Sequence, residues 1–108
     1  MVDLDPVKGA EAAKTRPAVI VSNDAANATA ARLHRGVVTV VPVTSNIERI
    51  YPFQVLLPAE VTGLARDSKA QAEQVRSIAV DRIGPRCGTL PLAQERQLDE
   101  ALRTHLAL

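Results

Sequence analysis

Residues 37–44 read V-V-T-V-V-P-V-T, and seven of these eight side chains branch at Cβ. Branching stiffens χ1 and favours a pleated surface over a helix. The run therefore predicts a strand over 37–44, entered at Gly36, with Pro42 marking an edge or a bulge near its end. A second apolar run, Ala18-Val19-Ile20-Val21, is opened by Pro17 and does not alternate, so it reads as a strand buried on both faces. Proline is tolerated at the first position of such a strand.

The rest of the chain is organised around these two strands. Val2-Asp3-Leu4 alternates like a strand tail, Asp5-Pro6 breaks it, and 5–15 reads as a loop. Ser22-Asn23-Asp24 offers a helix cap. The Ala-rich 24–33 suits either a short helix or an ordered loop, because Asn23, Asn27 and Thr29 compete for backbone hydrogen bonds. Further strands are expected over 53–57, closed by Pro58, over 69–71 and 74–78 as a strand or bulged pair, and over 86–90. Turns are expected around Thr62-Gly63 and over 80–83. After Pro91, the spacing of Leu98, Ala101, Leu102, His105 and Leu108 predicts an amphipathic helix. Five or six short strands with one terminal helix imply an all-β small barrel with helical decoration.

The length of 108 residues fits one domain over 1–108. Tyr51 and Phe53 are the only aromatic residues, so the core must rest on Val, Ile, Leu and Ala. The formal net charge of +1 excludes a histone-like partner surface and leaves only a local site for nucleic acid. Cys87 is alone, which rules out an intrachain disulfide or a cysteine zinc cluster and suits a reducing compartment. No apolar run is long enough to span a membrane and the N-terminus has no signal-peptide pattern, so a cytoplasmic protein without membrane contact is expected. His34 and His105 lack ligand spacing, phosphate-loop and nucleophile-elbow motifs are missing, and neither a metal nor a cofactor is expected.

What remains is a set of polar residues at strand ends. Arg16 precedes a proline and so enters its strand with extended backbone. A guanidinium there suits a phosphate, although Arg16 taken alone reads as a solvated strand-end charge. Thr44-Ser45-Asn46 closes the 37–44 strand with two hydroxyls and an amide that suit an anionic oxygen, or form an ordinary Ser/Thr/Asn turn. Glu11 is an acid or base if folding brings it to the same rim, and otherwise a surface carboxylate. In Glu73-Gln74-Val75-Arg76-Ser77 the alternation puts Glu73, Val75 and Ser77 on one face, as a groove lining or as a solvated strand.

In order along the chain, V-D-L-D-P, Gly9-x-Glu11, R-P-A-V-I-V-S-N-D, V-P-V-T-S-N, Asp67-Ser68, E-Q-V-R-S-I and the helix with Leu98-Asp99-Glu100-Ala101-Leu102 resemble the MazF/PemK/Kid family of bacterial toxin endoribonucleases. The resemblance implies a small SH3-like barrel with a C-terminal helix, a homodimer whose groove takes single-stranded RNA, and a MazE-like antitoxin as partner. DNA is then met only through the toxin–antitoxin complex. It implies metal-independent cleavage to a 2′,3′-cyclic phosphate and a 5′-hydroxyl. The family's catalytic arginine falls on Arg16, its threonine on Thr44 and its loop glutamate on Glu11. The RNA-holding segment falls on Glu73, Gln74 and Arg76, and Asn23-Asp24 matches a loop near the groove, with Ser45 and Asn46 beside Thr44.

A metal-free ribonuclease must help the 2′-hydroxyl attack, stabilise a dianionic phosphorane and protonate the leaving oxygen. The resemblance gives charge stabilisation to Arg16, with proton donation open to it, a hydrogen bond to a non-bridging oxygen to Thr44, and the 2′-proton to Glu11, with Glu73 or Asp24 as alternatives. With two aromatics, stacking of bases on side chains is expected to contribute little. Family members usually open with R-G-[E/D]-[I/V]-[W/Y] before V-D-L, whereas Met1 stands inside that segment here, so a shortened first strand is expected. The alternative is a resemblance to CcdB, a gyrase-inhibiting toxin of the same fold, whose C-terminal tail carries a tryptophan; T-H-L-A-L has none.

Overall fold

The computed structural model describes residues 2–4, 16–22, 29, 32–33 and 36–108. Seven strands, β1 (Val2–Leu4), β2 (Arg16–Ile20), β3 (Val37–Thr44), β4 (Gln54–Leu57), β5 (Ser68–Gln71), β6 (Arg76–Ala79) and β7 (Ile83–Arg86), form one sheet. Its order is β4-β5-β3-β2-β1-β7, with β6 paired to β3. Every pair is antiparallel. A four-residue helix α1 (Ala59–Thr62) links β4 to β5, and α2 (Leu92–Leu106) follows the sheet. The mostly-β expectation with a C-terminal helix holds. Thr29, Arg32 and Leu33 have helical backbone, and the expected loop over 5–15 lies outside the described residues.

Strand β3 is the centre of the sheet, not an edge. Along one side it pairs with β2, and along the other with β6 from Val37 to Val40 and then with β5 at Val43 and Thr44. Val21 N–H donates to Thr39 C=O at 2.9 Å, so odd-numbered peptides of β3 face β2 and even-numbered ones face the other side. The N–H that Pro42 lacks would therefore point between the last β6 pair and the first β5 pair, where no strand awaits it. That gap, rather than an edge, is what admits the proline. Past the end of β2, Ser22 Oγ accepts the Thr39 N–H at 3.2 Å.

The two sides of β2 and β3 bury different aliphatic clusters, which explains why neither strand alternates. Val19, Val41 and Val43 pack with Leu57, Leu98 and Ala101 beneath α2, while Ala18, Val38 and Val40 pack with Ile78 on the opposite side. No aromatic ring lies in either cluster, as the composition requires. Cys87 is half-buried against the first.

Four further expectations need correction. Residues 72–74 form a 3-10 turn, closed by Val75 N–H on Ala72 C=O, so Glu73 and Gln74 do not sit on an alternating strand. Strand β7 ends at Arg86 rather than beginning there, and Gly84-Pro85 lies inside it. The 62–63 turn is the end of α1, with Gly63 left-handed at φ 79° as its cap. In α2, Leu98 and Ala101 are buried and Leu102 half-buried, but His105 and Leu108 are exposed, because the helix runs past the core before stopping at Ala107.

Candidate active site

Register brings the strand-end residues together. Ala18 pairs with Pro42, and continuing that antiparallel register two residues places Arg16 opposite Thr44. Thr44 in turn pairs with Lys69 of β5, and Lys69 with Leu56 of β4. Directly opposed residues share a face, so Arg16, Thr44, Lys69 and Leu56 form one row across four strands.

At the Arg16 end of this row opens a cavity of about 380 Å³ whose wall includes Arg16, Thr44, Ser45, Leu64, Arg66 and Ser68. Among the described residues two guanidiniums line it and no carboxylate does. Among the described residues neither guanidinium has an ion-pair partner; the salt bridge found there joins Arg103 and Glu100 on α2. Thr44 Oγ1 accepts the Asn46 N–H at 3.2 Å, which leaves the hydroxyl proton free to donate elsewhere. Fixed positive charge beside a hydroxyl donor is an arrangement for an anionic oxygen.

Arg66 was missed by sequence reasoning. It precedes Asp67-Ser68, and the surrounding bonds carry it to the cavity. Thr62 Oγ1 donates to Pro58 C=O at 2.8 Å and accepts Leu64 N–H at 3.3 Å. Asp67 Oδ1 accepts Ala59 N–H at 2.8 Å, at the start of α1, and Ser68 Oγ donates to Arg66 C=O at 3.0 Å. Thr89 N–H donates to Thr62 C=O at 2.8 Å. Gly88 makes that last contact possible, since a Cβ there would lie 2.7 Å from Thr62 O. The D-S pair was the available signal, but its local role was not legible without α1.

The remaining predicted site residues that the structure describes do not line the cavity. Asn46 is exposed beside it, its Oδ1 accepting Glu48 N–H at 3.3 Å. Arg76 opens β6 and pairs with Val40, roughly 13 Å along β3 from Thr44 at ~3.3 Å per residue. Gln74 is exposed on the 3-10 turn. Glu73 is half-buried there and accepts Gln54 Nε2–H at 2.7 Å through Oε2, leaving its buried Oε1 without a hydrogen-bond partner among the described residues. Glu11, Asn23 and Asp24 lie outside the described residues.

A family model described as PemK-like, MazF-like toxin of type II toxin–antitoxin system matches residues 1–106. The chain belongs to this toxin family. It is 64% identical over 107 residues to endoribonuclease MazF9 of Mycobacterium tuberculosis, covering 99% of this chain and 91% of that protein. Among solved structures it resembles Mycobacterium tuberculosis toxin MazF-mt6, with a TM-score of 0.77 at 27% identity over 99% of this chain and 96% of the other. It also resembles a MazE-MazF structure from Deinococcus radiodurans, with a TM-score of 0.73 at 26% identity over 99% and 92%.

Proposed function

We propose that this toxin is a sequence-specific, metal-independent endoribonuclease that cuts single-stranded RNA to 2′,3′-cyclic phosphate and 5′-hydroxyl ends and thereby stops translation. The observation that carries this reading is the cavity in which Arg16, Thr44 and Arg66 converge. The scissile phosphate sits against Arg16, which stabilises the negative charge gained in the phosphorane, and Thr44 donates to a non-bridging oxygen. Removing one such donor typically raises a barrier by about 3–4 kcal/mol. Arg66 neutralises the same or the adjoining phosphate. Glu73 is committed to Gln54 and stands off the cavity, so Glu11 is the better acceptor for the 2′-proton. Asn23, Ser45, Asn46, Gln74 and Arg76 hold RNA beyond the cut.

A homodimer and a MazE-like antitoxin complete the proposal, with DNA met only through the complex; the likeness to a MazE-MazF structure supports the antitoxin. The reading places the toxin in the cytoplasm, where its RNA is; no helix among the described residues is long and apolar enough to cross a membrane. Gyrase inhibition is not favoured, since the named relative is an endoribonuclease. The test is incubation of mixed RNA with the toxin in EDTA, followed by sequencing of the new ends and analysis of their chemistry. No cleavage by the wild type, or undiminished cleavage by Arg16→Ala, would sink the mechanism.

A further inference from the structure

Lys69 stands in the middle of the row that holds Arg16 and Thr44, and it is only 8% exposed. Even-numbered peptides of β3 face β5, so Thr44 and Lys69 are a hydrogen-bonded pair whose Cα atoms lie about 5.5 Å apart. The row is exposed at both ends, at Arg16 and at Leu56, and closed over Lys69.

A buried ammonium needs a reason, and the contacts of Lys69 do not supply one. Nζ donates to Arg49 C=O at 2.6 Å, which uses one of the three N–H groups of the ammonium. Arg49 is an exposed residue, so water would serve its carbonyl nearly as well. Among the described residues no carboxylate pairs with Lys69. The salt bridge found there joins Arg103 and Glu100 on α2, and Glu73, on the turn after β5, accepts from Gln54 instead. Withdrawing an unpaired charge from water costs stability, and an aliphatic side chain would fill the same strand position without that cost.

We propose that Lys69 is an electrostatic positioning residue of the cleavage reaction: its buried charge, one strand behind Thr44, draws the scissile phosphate to the cavity and stabilises the charge that develops there. The proposal rests on the RNA-cleaving reading above. Lys69 does not line the cavity, so it acts through its field and not by contact, and a buried charge is screened by salt less than a surface one. A phosphodiester carries one negative charge and the phosphorane two. The same fixed cation therefore counts once in binding and again in the barrier. Across two strand spacings, roughly 10 Å, a unit charge at an effective dielectric of ~20 is worth about tenfold at each stage.

Lys69→Met keeps most of the stem and removes the charge. Initial rates are measured on a short RNA containing a mapped cleavage sequence, and thermal unfolding is followed by circular dichroism. The methionine variant is expected to melt at or above the wild-type midpoint, because an unpaired buried charge is gone, while kcat falls and KM rises, each about tenfold. Lys69→Arg keeps the charge and is expected to recover most of both. A methionine variant with wild-type kcat and KM, or one whose midpoint falls along with its rate, would overturn the proposal and leave the nuclease reading standing. An arginine variant as slow as the methionine one would overturn it as well. RNA left intact by the wild type would remove both readings.

Discussion

Thr62→Val tests whether the turn that carries Arg66 is held by a hydroxyl rather than by shape. Thr62 is 2% exposed, and valine has nearly its volume, so packing changes little while two hydrogen bonds disappear. Pro58 C=O is barely affected, because it still accepts Val61 N–H at 3.2 Å and Thr62 N–H at 3.1 Å. Leu64 N–H is the group left stranded: its bond at 3.3 Å goes to Thr62 Oγ1, and Leu64 is 8% exposed. An unsatisfied buried donor costs about 1–3 kcal/mol. At ~4–8 °C per kcal/mol for a domain near this size, a midpoint loss of roughly 10 °C is expected in thermal unfolding followed by circular dichroism at fixed protein concentration. Well below the midpoint, RNA cleavage should also fall, since Leu64 and Arg66 line the cavity. Thr62→Ser keeps the hydroxyl and should lose only the methyl contact, about 1 kcal/mol. A valine variant as stable as wild type, or a serine variant as damaged as valine, would refute the assignment.

Gly88→Ala drives a Cβ to 2.7 Å from a backbone oxygen, and should cost about 1–3 kcal/mol, read as a lower thermal midpoint. Leu57→Ala empties a fully buried site in the cluster beneath α2; a loss of about 2–5 kcal/mol is expected, seen in urea as a lower midpoint with unchanged slope. Arg16→Ala should lower kcat/KM about 10²–10³-fold, and Arg16→Lys, which keeps the charge but not the fork, should bind RNA while recovering only part of the rate.

The parts of the fold that were legible from sequence are those fixed by bulk chemistry at consecutive positions. The bounds of β3 are given by branched Cβ atoms, and the apolar run from Ala18 shows a strand with both faces covered. What was lost depends on partners distant in the chain. Pro42 reads as an edge signal because the cost of a missing N–H depends on what faces it, and only the handover from β6 to β5 reveals that nothing does. Glu73-Gln74-Val75-Arg76-Ser77 alternates as a strand would, yet the Ala72 carbonyl and the Gln54 amide make its first part a turn. The helix periodicity through His105 and Leu108 is real, but the core ends before them.

The site divides in the same way. Arg16 and Thr44 were each indistinguishable from solvated strand ends when read singly, and their convergence follows from one number, the register of β2 on β3. Arg66 had no comparable handle, because its position is set by Thr62 and Gly63, which read only as a turn, and by Gly88, which read as part of a strand over 86–90.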